Sequence, residues 1–108
     1  MTRDADRYFA VRVKRGGPWD WSRPLRAQAG FDAHARFMDS LVEDGFILLG
    51  GPLGAGEDDG EDVLHIVIAP SEAAIRTRLA QDPWSGNGML TIASIEPWTV
   101  LLDGRRPA

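Results

Sequence analysis

Residues 31–52 read FDAHARFMDSLVEDGFILLGGP, a helix pattern that becomes a strand pattern across one glycine. At about 100° per residue, Phe31, Ala35, Met38, Leu41 and Val42 fall on one stripe with Phe37 at its edge. Asp32, Arg36, Asp39, Ser40 and Glu43 take the opposite side, so the helix is amphipathic and lays one face on a core. Gly45 is a natural stop, because a left-handed residue closes a helix most cheaply when it has no Cβ. The apolar run from Phe46 then predicts a short strand, closed by Gly50, Gly51 and Pro52.

Working outward, RYFAVRVKR (7–15) alternates. Phe9, Val11 and Val13 share one face, and Tyr8, Ala10, Arg12 and Lys14 the other, which is the period of a strand. VLHIVIA (63–69) is a second alternating strand, with Leu64, Ile66 and Ile68 on one side and Val63, His65 and Val67 on the other. SEAAIRTRLAQD (71–82) predicts a helix with Ser71 as N-cap and Glu72 where the dipole favours an acid. The last strand lies within MLTIASIEPWTVLL (89–102), where Pro97 implies an edge or a bulge. The acidic, glycine-rich link LGAGEDDGED (53–62) is expected to be mobile.

The order β-α-β-β-α-β is the ferredoxin-like arrangement, an α+β fold with an antiparallel sheet. Both helices then cover one face of the sheet. The other face carries apolar residues and stays bare, so a homodimer with the two sheets face to face is expected.

The chain of 108 residues reads as a single domain, with an ordered core over about 7–103, long enough to bury roughly 65% of its unfolded surface. A formal charge of −4 without a basic cluster argues against nucleic acid and anionic membrane. With no cysteine, thiolate nucleophiles, disulfides and thiolate metal sites are excluded. The first residues, MTRDADRYFAVRV, lack an apolar run of signal-peptide length, and no segment could span a bilayer as a helix, which suggests a cytoplasmic protein.

Two polar residues sit on faces that should be apolar. His34 lies inside the stripe of the first helix, between Phe31 and Leu41. Asp82 ends the second, where the dipole disfavours an acid by about 0.3–1 kcal/mol. Singly, His34 reads as a core histidine bonded to a carbonyl and Asp82 as the start of an Asp-Pro turn. Together they are one inward polar residue from each of two neighbouring helices. A carboxylate bonded to imidazole fixes its tautomer and raises its basicity, which prepares a general base. His65 is expected on the far side of the sheet from His34, so the two histidines and Asp82 should not form a metal site. Arg12 is the candidate to hold an anionic substrate, although such an arginine more often pairs with a nearby acid.

The loop GGPWDWSRPLRAQAG (16–30) places Trp19 and Trp21 just before the helix of His34, and Trp84 follows Asp82. These indoles suit an aromatic wall on a planar substrate, or alternatively a plug in the dimer seam.

The chain resembles the YCII-related (YciI-like) family of the dimeric α/β-barrel superfamily from Tyr8 to about Leu102. The likeness rests on His34 with the following FMDSLVEDG, on LLGGP ending at Pro52, on SEAAIRTRLAQDPW and on IEPWTV. The resemblance implies a dimeric barrel and assigns His34 and Asp82 the role of an active-site pair. It places Gly51, Pro52, Pro83 and Trp84 beside a substrate. One related branch removes chloride from a chlorinated hydroxyhydroquinone, and muconolactone isomerases share the superfamily. The expected function is therefore a lyase or isomerase without cofactor or metal, acting on a small cyclic or aromatic metabolite. The alternative is a non-catalytic small-molecule-binding module of the same fold.

Overall fold

A computed structural model describes residues 7–54 and 56–105. Residues 1–6, read above for a leader, and Ala55 of the acidic link lie outside the described residues. Strand β1 spans Arg7–Arg15, helix α1 Phe31–Glu43, β2 Ile47–Pro52, β3 Asp62–Ala69, α2 Glu72–Leu79, a one-turn helix α3 Pro83–Gly86, and β4 Leu90–Pro97. A 3-10 turn at Leu25–Ala27 interrupts the tryptophan loop. The four strands form one sheet in the order β2-β3-β1-β4, every pair antiparallel. This is the ferredoxin-like α+β fold.

The alternation in β1 decides which face is covered. Phe9, Val11 and Val13 are buried with Val63, Val67 and Ala69 of β3, against Leu41 of α1 and Ile75 and Leu79 of α2. Both helices therefore lie on one face, and burial of these side chains supplies the main drive to fold, at about 1.5–3 kcal/mol each. On the opposite face Tyr8, Ala10, Leu64 and Ile68 stay partly exposed and Arg12 is exposed. Among the described residues no helix is long and apolar enough to cross a membrane.

Several local readings are refined. α1 stops at the expected place, with Gly45 at φ 78° just past its cap. β2 continues through Gly50, Gly51 and Pro52 instead of closing before them, because Gly50 and Gly51 pair with His65 and Leu64. β4 is an edge strand, and its register against β1 shifts between Arg12 and Val13, so Pro97 is tolerated on both counts. The Ser71 hydroxyl caps α2 by accepting from the Ala74 N–H at 3.1 Å. α2 ends at Leu79, short of Asp82.

The acidic link is tied down, contrary to the expectation of mobility. Asp58 accepts from the Leu25 N–H at 2.8 Å, and Glu57 pairs with Arg26 at 3.1 Å. Two loops that read separately in sequence thus hold each other over one end of the sheet.

Candidate active site

Asp82 does not close α2. It caps α3: its Oδ1 accepts the Trp84 N–H at 3.0 Å, with Pro83 in the first helical position, where a missing N–H costs nothing. The acid is therefore at a favourable helix end, the reverse of the sequence reading. That cap fixes the carboxylate, and His34 reaches it from α1. The Nδ1 of His34 lies 2.9 Å from each carboxylate oxygen. A carboxylate only accepts, so Nδ1 donates the shared proton, and in the neutral form of the ring Nε2 presents its lone pair. Nε2 has no hydrogen-bond partner among the described residues. Asp82 is buried at 5% exposure.

Trp84 completes this unit. Its indole lies against the His34 imidazole with centroids 4.0 Å apart and planes 10° from parallel. The Trp84 Nε1–H donates to the Ala29 carbonyl at 2.9 Å, which locks the indole to the loop before α1. Trp19 meets Trp84 edge to face at 5.3 Å, and the Arg15 guanidinium lies over Trp19 at 4.5 Å. Arg15, Trp19, Trp84 and His34 thus form a continuous chain of contacts. They line one wall of a cavity of about 220 Å³, with Gly51, Pro52 and His65 on the sheet side. An apolar cavity of about 150 Å³ accepts benzene, so this volume suits one substituted ring.

The structure gathers His34, Trp19, Trp84, Gly51 and Pro52 around the cavity, with Asp82 directly behind His34. Trp21 is half exposed and touches Trp19 at 6.0 Å without lining the cavity. Pro83 is exposed and serves the start of α3. Arg12 points from the opposite face of the sheet, since it has the parity of Tyr8 and Ala10, and it does not line the cavity. Arg15 stands there in its place. The clue was available in sequence: Arg15 has the parity of Val11 and Val13.

His65 is also relocated. It pairs with Val11 across β1–β3 and is buried on the helix-covered face, so both histidines line the cavity. The geometric reason against a shared metal site falls with this. Among the described residues, no group of three or more His, Asp or Glu side chains is placed to hold a metal ion. Burial, and then the neighbouring His34, push the His65 imidazole down to about 4, with Asp82 opposing, so it is neutral at pH 7. Its Nδ1 is buried without a partner among the described residues, and a Cβ at Gly50 would stand 2.2 Å from that atom. Glycine at 50 is therefore the condition for His65 to lie where it does.

Comparison with known proteins agrees with this architecture. A search among curated proteins returned no match. Among solved structures, the chain is similar to 5-chloro-2-hydroxyhydroquinone dehydrochlorinase (TftG) from Burkholderia phenoliruptrix AC1100, solved in complex with 2,5-dihydroxybenzoquinone. The TM-score is 0.59 at 22% identity, covering 84% of this chain and 93% of that one. The model of the YCII-related domain matches residues 22–99. The chain belongs to the YCII-related family.

Proposed function

We propose that this chain is an enzyme of lyase or isomerase type that moves a proton on a small cyclic or aromatic substrate, working as a homodimer in the cytoplasm. One observation carries the reading. His34 gives its Nδ1–H to both oxygens of a buried carboxylate while its Nε2 is unpartnered and its ring lines a one-ring cavity.

In this arrangement Nε2 takes a proton from substrate carbon. In an elimination, the C–H electron pair becomes the new double bond and the leaving group departs with its bonding pair. In an isomerisation, the imidazolium returns the proton to another carbon. Asp82 stabilises the imidazolium through Nδ1–H in either case, and the stacked Trp84 keeps the ring from rotating. Positioned general-base catalysis of this kind contributes about 10²–10⁴-fold. The dehydrochlorinase that shares the fold supports the choice of a ring substrate.

The homodimer is proposed on the exposed apolar surface. Leu49 is 58% exposed, Trp98 46%, Leu101 86% and Leu102 92%, beside the uncovered sheet face. Such a continuous apolar area is unusual on a monomer.

The test is exchange in D2O. The protein is incubated with a panel of hydroxyquinols, chlorinated hydroxyquinols and unsaturated lactones, and mass spectrometry reads C–H to C–D exchange or loss of the leaving group. Wild type should exceed His34→Asn by about 100-fold or more on at least one member. Binding of a panel member without exchange, equal in both proteins, would support the non-catalytic binding module instead.

A further inference from the structure

Arg15 is a buried cation whose charge the mechanism above does not use. Only 5% of the residue is exposed, and it lines the cavity beside Trp19. Its Nη1 donates to the Gly60 carbonyl at 3.1 Å. A guanidinium has five N–H donors, so that single bond leaves most of them unmatched. Among the described residues no carboxylate pairs with it. The nearest acids are engaged elsewhere, Asp58 with the Leu25 N–H and Glu57 with Arg26.

Trp19, which the Arg15 guanidinium covers, also lines the cavity. The Trp19 Nε1–H is buried without an acceptor among the described residues. A buried donor without an acceptor is costly unless something meets it. Among the described residues, Arg15 is also the one Arg or Lys side chain lining the cavity. Asp39, the one acid among the described lining residues, is exposed on α1.

We propose that Arg15 selects for an oxyanion on the substrate ring, either a carboxylate or an ionised ring hydroxyl. The anionic end then sits by Arg15 and Trp19, and the reacting carbon sits by His34. Arg15, Trp19, Trp84 and His34 line the same cavity and touch one after the next, so the anion site and the base belong to a single pocket. Burial lowers the pKa of Arg15, with Asp58 and Glu57 opposing, so an incoming anion restores stabilisation that burial removed. A guanidinium fork matches two oxygens at once, which makes the contact directional.

This inference deepens the proposed function and rests on it for the role of the far end, but its test needs no turnover. Equilibrium binding is measured by tryptophan fluorescence and calorimetry for two matched pairs: benzoate against benzamide, and 2,5-dihydroxybenzoquinone against hydroquinone. Wild type should prefer the anionic member of at least one pair by tenfold or more, and the pair that discriminates identifies the oxyanion. Arg15→Met should abolish that preference while binding the neutral members within twofold of wild type. Arg15→Lys, which keeps the charge and stem but loses the fork, should retain a preference of about threefold. Equal or absent binding of the charged and neutral members by wild type overturns the inference. So does a preference that persists in folded Arg15→Met. Either result leaves the exchange test on His34 unaffected, so the two proposals fail separately.

Discussion

Trp84 lies flat against His34 at 4.0 Å, and its own backbone N–H is held by Asp82, the residue that orients His34. The three side chains therefore form a closed unit in which moving any one moves the others. Trp84 is 1% exposed, so Trp84→Ala should cost about 3–5 kcal/mol. Trp84→Phe keeps a ring but loses the bond to Ala29, and should cost about 1–2 kcal/mol. Urea unfolding of both variants measures this. Equal, negligible losses would show that the stack does not hold the unit together.

Gly50 and His65 make a second tight pair. A methyl at position 50 would overlap the imidazole, so Gly50→Ala must push His65 into the cavity or distort β2. The expected cost is about 1–3 kcal/mol, with weakened ligand binding. Unfolding midpoints and the His65 ring resonances report the two effects. A Gly50→Ala protein of full stability with an unmoved His65 would contradict the packing described.

His65 also makes stability depend on pH. Its folded value of about 4 lies below the ordinary 6.5, so between those values the unfolded chain binds more protons than the native one. Stability from this group is complete above pH 6.5 and is lost as pH falls through 4. The full effect is about 3 kcal/mol. The difference in unfolding free energy between wild type and His65→Leu should shift by about that amount over this range. A pH-independent difference would mean that His65 is not buried as a neutral ring.

Sedimentation equilibrium should give a mass near twice 11.8 kDa at micromolar concentration, and Ala10→Asp on the uncovered face should reduce it to one chain. Trp21, half exposed and outside the cavity lining, separates two roles for the tryptophan loop. If it acts as a lid over the cavity, Trp21→Ala should change melting stability by about 0.5 kcal/mol or less and weaken ligand binding. A loosened dimer with unaltered binding would make it a seam plug.

Much of this was legible in sequence because the periods were clean. The α1 stripe and the β1 alternation point to the elements and their order, and Pro97 to an edge or a bulge; the structure shows both. His65 was misplaced because β3 is apolar on both sides: Val63 and Val67 on one, Leu64, Ile66 and Ile68 on the other. Only the pairing of Val11 with His65 tells which side meets the helices. Asp82 read as a helix end because Asp-Pro interrupts a helix pattern and starts one equally well; a separate one-turn helix follows it. Arg15 escaped notice because an arginine at the end of a strand usually reads as solvated, and its burial depends on how the loop returns Trp19 over it and on Gly60, distant in sequence.

The central claim is that Asp82 prepares Nε2 of His34 as the base. Nitrogen-15 NMR of the labelled imidazoles at neutral pH tests it most directly. The account predicts that neutral His34 carries its proton on Nδ1 and its lone pair on Nε2 in wild type, and that Asp82→Asn, with the ring still packed on Trp84, loses this single tautomer. A proton on Nε2 in wild type, or the same tautomer in Asp82→Asn, would contradict it.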